Sequence, residues 1–513
     1  MSNNSSKNKR IAKNTIFLYI RMLFALVITL YTSRVILNTL GIQDYGIYNV
    51  VAGFVSLFAF LNATLSSSMQ RFYNFQIGSV GDNGIAKVYT TGLWIHVLLA
   101  VIIILILETF GVWYVNNIMV MPEDRLFAAN ILYQIVVVSA VLLILQIPYI
   151  GAIMAYERMD FYAIISIIDV VFKLAIVLVL PYINLDKLIV YAFLLLMVNV
   201  FNICVYFLYA KRKLPSIVLT KETDKVLFKD ILSFSGWNLI GTFALMLKGQ
   251  GLNMLLNVFF GPIINAARGI AFQIYGAISS FGQNIVIAYR PQLVSSYATG
   301  YKDRVEQLFF SESKICFSLI AILAVPLMLE MDYVLKIWLG ENVPEQTNIF
   351  SILVLVDLLI CILNTPCTQV VHATGKLKMY QIASSIVNIA LLPFCWLLLK
   401  LGFDATSSFV TTIVFSCINQ TVCVIQTHKV FSFDIKTYIR SVLFPCIVLI
   451  ILLPILPFLI HVFMSPSVYR LLAVCVACIC VAMPLCYYIV LSSVEKIYAI
   501  RIIKNILNQL KLH

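Results

Sequence analysis

Charge is what this chain has least of. Of its 513 residues, 12% are Asp, Glu, Lys or Arg, about half the share found in soluble domains, which excludes a large water-facing surface. Acidic residues are the scarcer sign, 23 against 36 Lys and Arg. Long polar loops are missing too; the longest runs only from Lys211 to Asp230. Histidine is sparse, and His96 and His372 stand alone. No carboxylate pair or nucleophile motif sits in an outer loop. The expectation is a protein that is not an enzyme, with no cofactor and no metal site. The 12 cysteines lie almost entirely inside apolar runs, where free cysteine behaves as a small hydrophobe. The one CxxC, Cys475 to Cys478, has no His or carboxylate beside it. No small-residue cleavage site follows the basic leader Met1 to Asn14, so the apolar run behind it reads as an uncleaved first span.

What the chain has in excess is apolar sequence: 61% hydrophobic residues and a mean hydropathy of +0.97. A spanning helix needs roughly 20 mostly apolar residues. About fourteen runs qualify: 11–40, 47–72, 88–115, 126–156, 159–180, 188–210, 232–260, 263–289, 315–338, 349–372, 379–401, 405–427, 439–463 and 471–491. They are continuous rather than alternating, which excludes a many-stranded barrel. The expected fold class is an all-α polytopic membrane protein.

The net charge of +13 is distributed as orientation demands, not as a nucleic-acid footprint. With the N-terminus inside, about 26 of the 36 cations fall on the cytoplasmic side. Both termini are then cytoplasmic. The tail from Val494 to Lys511 puts Ile497, Ile500, Ile503, Leu507 and Leu510 on one face. It reads as an amphipathic helix on the inner surface, held by membrane lipid.

The runs also repeat. Pro148, Ala155, Met159, Tyr162 and Ser166 recur as Pro366, Ala373, Leu377, Tyr380 and Ser384, always 218 residues on. Gly41, after the first span, matches Gly261 after the seventh. Six spans per repeat keep both halves in the same orientation, as parallel repeats. The expected organisation is an N-terminal six-helix lobe (1–210), a cytoplasmic linker (211–230), a C-terminal six-helix lobe (231–430) and helices 13 and 14 with the tail (431–513).

Ionisable side chains at membrane depth cost at least ~2.5 kcal/mol each, so they are functional candidates. The first span holds Arg21 and Arg34, the seventh Lys248 close to Gly249 and Gly251, and the eighth Arg268 near its outer end and Arg290 at its close. For Arg34 and Arg268, snorkelling to the outer interface competes with a cavity position. For Arg21 and Lys248 snorkelling is harder. Cavity-facing cations would make a tiered path for an anion, and arginine's planar fork matches phosphate oxygens. Asp169 and Lys173, four apart on the fifth span, can pair on one face. They read either as a self-neutralised structural pair or as an ion-coupling site.

Two segments carry a family resemblance: LGIQDYGIY (Leu40 to Tyr48) and ATGKLKMY (Ala373 to Tyr380). With the doubled core and two added spans, the whole chain resembles the O-antigen and capsule polysaccharide flippases. These belong to the multidrug/oligosaccharidyl-lipid/polysaccharide exporter superfamily. The resemblance implies translocation of undecaprenyl-diphosphate-linked oligosaccharide across the bacterial cytoplasmic membrane, with polysaccharide polymerase machinery as a partner and no nucleic acid. It also implies a central cavity lined by cations of the first, second, seventh and eighth spans; Arg21, Arg34, Arg71, Lys248, Arg268 and Arg290 fit that description. A lipid II flippase, with fourteen spans and similar charges, is the nearest alternative. A multidrug/cation antiporter of the same superfamily predicts an acidic cavity instead.

Overall fold

The computed structural model describes residues 27–53, 65–66, 69–70, 72–73, 76, 84–156, 158–220, 225–492 and 495–496. Among these residues every regular element is helical, and 11 helices are long and apolar enough to cross a membrane. The chain is thus an all-α, multi-pass membrane protein. Hydrocarbon offers no hydrogen bonds to a peptide group, and a helix satisfies its own. Helix α2 (Ile85–Ile106) shows the pattern that follows: Trp94, Leu98, Val101 and Leu105 are exposed along one stripe for lipid, while Ile95, His96 and Ala100 are buried.

One compact unit comprises residues 1–270, 338–345 and 392–405. It begins in the described region with α1 (27–53), followed by α2, α3 (Val112–Asn117), α4 (Leu126–Leu145), α5 (Ile147–Ala155), α6 (Met159–Val179), α7 (Lys187–Lys213) and α8 (Lys225–Phe260). The first turns of α9 (Pro262–Ala298) complete it. Gly41 within α1 and Gly261 between α8 and α9 take φ of +80° and +76°, a left-handed turn that glycine makes without Cβ strain. The pair matched in sequence therefore makes the same turn. Gly46, in the LGIQDYGIY segment, is needed for another reason. A Cβ there would run into the Pro262 carbonyl oxygen at the start of α9.

The second unit comprises residues 271–337, 346–391 and 406–513. It contains α10 (Lys302–Leu329), α11 (Met331–Leu339) up to Ile337, α12 (Thr347–Cys361), α13 (Asn364–Thr374), most of α14 (Leu377–Lys400) and α15 (Ala405–Val430). These are followed by α16 (Ile435–Tyr438), α17 (Phe444–Leu452), α18 (Ile455–Phe463) and α19 (Val468–Leu485). The repeat persists in the element boundaries. Helices α6 and α14 begin at Met159 and Leu377, and α7 and α15 at Lys187 and Ala405, the spacing that separates Pro148 from Pro366. The second resembling segment ends α13 with Gly375 at φ +72°, a left-handed cap before α14.

Several spans differ from the sequence reading. The fourth breaks at Gln146 into α4 and α5, and the tenth breaks at Ile362 and Leu363 into α12 and α13. Pro148 and Pro366 lie just beyond, where their missing N–H does no harm to the new helix. The ninth span, expected from Ile315, belongs to a helix that starts at Lys302. Glu312 and Lys314, on the stretch before Ile315, are 0% and 4% exposed. The tail helix lies outside the described residues except for Glu495 and Lys496. Glu495 meets Lys314 at 2.8 Å.

Polar clusters pin the helix ends. Arg125 forks onto Asp44, Nε to Oδ1 at 2.8 Å and Nη2 to Oδ2 at 2.6 Å, and reaches Asp186 Oδ2 with Nη1 at 2.7 Å. Asp186 also caps α7, accepting from the N–H groups of Leu188 and Ile189. Its burial raises the carboxyl, but the Arg125 hydrogen bonds and the two backbone donors outweigh this and hold it below its ordinary value. The sign follows: a depressed carboxyl stabilises fully above the unfolded pKa of about 3.9 and loses that contribution as pH falls. Asp44 is raised by its own burial against the pull of Arg125, so acidification acts on it in the opposite sense. In the second unit Glu330, 0% exposed, takes Arg470 Nη2 at 2.7 Å and His461 Nδ1 at 2.9 Å.

Arg125→Met leaves two carboxylates facing each other. It should lower stability by about 2–4 kcal/mol, read as a drop in melting temperature in detergent; an unchanged melt would remove the cluster as a stabilising element. Gly46→Ala should cost about 1–3 kcal/mol by overpacking, measured the same way, and a neutral result would mean that α1 and the start of α9 separate without cost.

Candidate functional site

The first unit holds an open cavity of about 570 Å³, within the range of ligand pockets. It is built where the helix break at Gln146 opens the wall. Gln146, 7% exposed, sits at the end of α4. Ser66 and Gln70 enter from the segment before α2, Tyr162, Ser166, Asp169 and Lys173 from α6, and Asn199, Asn202 and Tyr206 from α7. The spacings are helical: Tyr162, Ser166, Asp169 and Lys173 recur at four, three and four, and Asn199, Asn202 and Tyr206 at three and four. Each set therefore occupies one face.

Asp169 organises the polar wall. Its Oδ2 accepts from Lys173 Nζ at 2.7 Å and its Oδ1 from Asn202 Nδ2 at 2.9 Å. The pair expected from sequence forms, and it faces a cavity rather than packed helices. Lys173 stays 46% exposed while Asp169 is 20% exposed. The lining offers amides, hydroxyls, a carboxylate, an ammonium and two tyrosines. Those groups match a ligand rich in hydroxyls and amides more than a single ion. Among the described residues no three His, Cys, Asp or Glu side chains gather to hold a metal.

Of the six cations expected in a cavity, three have described side chains. Arg268 on α9 is 6% exposed and turns inward, its Nη2 donating to the Gly249 carbonyl at 2.7 Å. Snorkelling is therefore not its arrangement. Lys248 precedes that carbonyl on α8 and is half-buried, so the seventh and eighth spans bring two cations to one level of the first unit. Arg34 is exposed on α1 and reaches towards Gly340, where an added Cβ would lie 3.9 Å from its Nη2. Arg21 and Arg71 lie outside the described residues, and Arg290 is described only as backbone of α9.

Sequence reasoning singled out Asp169 and Lys173 but not Gln146, Asn199 or Asn202. The signal was present: three amides on otherwise apolar helices, two of them one turn apart. What sequence cannot supply is the convergence of helices that are distant along the chain.

Because Lys173 is half-exposed, its pair with Asp169 should be worth less than about 1 kcal/mol. Asp169→Asn should therefore leave the melting temperature nearly unchanged while impairing transport. A large loss of stability with normal transport would mark the pair as structural.

No protein-family profile matches the chain, and no curated protein does. Solved structures do match by shape. Lipid II flippase MurJ, in an inward closed conformation, is 13% identical, with a TM-score of 0.68 over 92% of this chain and 98% of MurJ. A multidrug resistance MATE family transporter of the MOP superfamily matches in its inward-facing form at 13% identity, TM-score 0.60, over 80% of this chain and 98% of that one. An outward-facing MATE structure gives 14% identity and a TM-score of 0.58 over 82% and 95%. The chain shares the fold of these transporters, over 80–92% of its length.

Proposed function

We propose that the chain is a flippase that carries undecaprenyl-diphosphate-linked oligosaccharide from the inner to the outer leaflet of the bacterial cytoplasmic membrane, for surface polysaccharide assembly. The lobes at 1–210 and 231–430, joined by 211–230, alternate access around the substrate, and both termini are cytoplasmic. The observation that carries this reading is the level shared by Lys248 and Arg268, one half-buried and one fully buried in helices of an apolar span. Cations placed there lower the cost of bringing an anion through a low-dielectric centre. A guanidinium binds phosphate oxygens through paired donors. The amide-lined cavity of the first unit, with Asp169, Asn199 and Asn202, suits sugar hydroxyls and acetamido groups. A diphosphate with two negative charges leaving a negative interior moves downhill, by about 5 kcal/mol at 100 mV.

A lipid II flippase is the second reading, favoured by the full-length likeness to MurJ. It shares the diphosphate chemistry and differs in the sugar. The antiporter reading asks for an acidic rather than a cationic level at α8 and α9.

Arg268→Gln or Lys248→Gln removes a charged donor worth about 1.5–3 kcal/mol. Each should weaken the diphosphate interaction about ten- to hundredfold, with normal protein in the membrane. The assay is surface glycan and inner-leaflet lipid-linked oligosaccharide in a deletion strain complemented with each variant. Full complementation by both variants overturns the cationic site. Normal glycan with heightened drug sensitivity in the deletion strain overturns the flippase.

A further inference from the structure

Lys314, the buried lysine of the second unit, is neutralised by a partner near the far end of the chain. It stands about three turns into α10 and is 4% exposed. Its partner is Glu495, 181 residues on, just past the last span (Val468–Val490). Lys314 Nζ lies 2.8 Å from Glu495 Oε2. The same Oε2 accepts from the Ser492 N–H at 2.7 Å, and the Ser492 hydroxyl accepts from the Glu495 N–H at 3.4 Å. That reciprocal pair is a capping box, Ser-x-x-Glu, which starts a helix. The Lys496 N–H then donates to the Ser492 carbonyl at 2.9 Å. One carboxylate therefore both begins the tail helix and ties it to α10.

The tie extends to α9. Ser311, less than one turn before Lys314, also hydrogen-bonds Glu495. Its Oγ lies 3.1 Å from the Tyr289 hydroxyl of α9. On the other side, Lys496 Nζ donates to the Tyr488 carbonyl at 3.5 Å and lies over the Tyr487 ring, 5.4 Å from its centre. At this end α9 and α10 are thus joined through a segment that belongs to neither.

Stability alone does not call for this arrangement. A buried ion pair contributes little over a well-packed apolar pair, whereas losing one partner strands the other charge. The packing of α10 is therefore conditional on the tail being in place. The tail's sequence says what would keep it there. Ile500, Ile503, Leu507 and Leu510 recur at helical spacing, and every charged side chain from Lys496 to His513 is a cation; the positions beyond Lys496 lie outside the described residues. A segment with an apolar face and only positive charge is attracted to anionic lipid at a membrane surface.

We propose that the tail start is a strap through which anionic lipid headgroups hold the α9–α10 pair together. With the tail seated on such lipid, Glu495 stays on Lys314 and Ser311. With the tail unseated, Glu495 withdraws, Lys314 recruits water, and the start of α10 loosens. The proposal rests on the membrane-spanning fold and not on the flippase reading.

The test is hydrogen–deuterium exchange of the full-length protein in liposomes, followed in peptides from residues 302–316. In the wild type, exchange should be several-fold slower in vesicles containing phosphatidylglycerol than in vesicles of phosphatidylcholine alone. Glu495→Gln breaks the strap and Arg501→Gln with Lys504→Gln weakens the seating; each should exchange fast in both vesicles. Lys314→Met with Glu495→Leu replaces the buried pair by an apolar one, so no charge is stranded and the protein folds. It should exchange at the same rate in both vesicles. Equal wild-type exchange in the two lipids overturns the proposal, as does a wild-type lipid response in the Lys314→Met, Glu495→Leu protein. Inorganic phosphate added to the phosphatidylcholine vesicles should leave exchange fast; protection by phosphate would make a soluble anion the partner and overturn the lipid assignment. A lipid response is not expected of a pair that merely packs, and no substrate is needed to read it.

Discussion

Hydrocarbon cannot hydrogen-bond or solvate a charge, and the rest of this structure follows from that. Every described element is helical because a helix carries its own hydrogen bonds through the bilayer. Several charges inside a unit are tied to partners distant along the chain. Arg125 gathers Asp44 and Asp186, Glu330 gathers Arg470 and His461, and Lys314 takes Glu495. Arg125 with Asp186, and Glu330 with Arg470, sit where helices begin or end, so the same contacts that neutralise charge also fix where the chain turns. The two segments that resemble the flippase family share this logic. One supplies Asp44 and the close-packed Gly46; the other supplies the left-handed cap at Gly375.

The same constraint makes polar side chains placed at membrane depth stand out. The cavity of the first unit collects amides, hydroxyls, Asp169 and Lys173 at depth, a costly placement unless something polar occupies it. Arg268 is buried against a backbone carbonyl beside Lys248. Glu312 is buried with no hydrogen-bond partner among the described residues. In a soluble protein each would be one more polar contact. In a span, each departs from the least costly sequence.

Much of this was legible from residue order. Apolar runs of spanning length gave the fold class, and the Pro148 and Pro366 spacing anticipated helix starts that recur at the same interval in α6 and α14 and in α7 and α15. The Asp169–Lys173 pair followed from helical periodicity alone. Span edges were less legible, because charge was read as a boundary. Glu312 and Lys314 fall before the apolar run that starts at Ile315, yet neighbours in space cover them, and Gln146 lies within an apolar run where the chain bends.

Sequence by itself determined what local chemistry determines: which runs are long and apolar enough to span, where glycine permits a left-handed turn, and which charges share a helix face. Only the tertiary structure decided which distant residues meet. It joined Arg125 to two acids from α1 and the start of α7, and Asn202 to Asp169. It turned Arg268 inward and left Glu312 enclosed without a partner among the described residues. The physical reason is that the cost of a polar group in a membrane depends on what surrounds it in space, and helices far apart in sequence supply those surroundings.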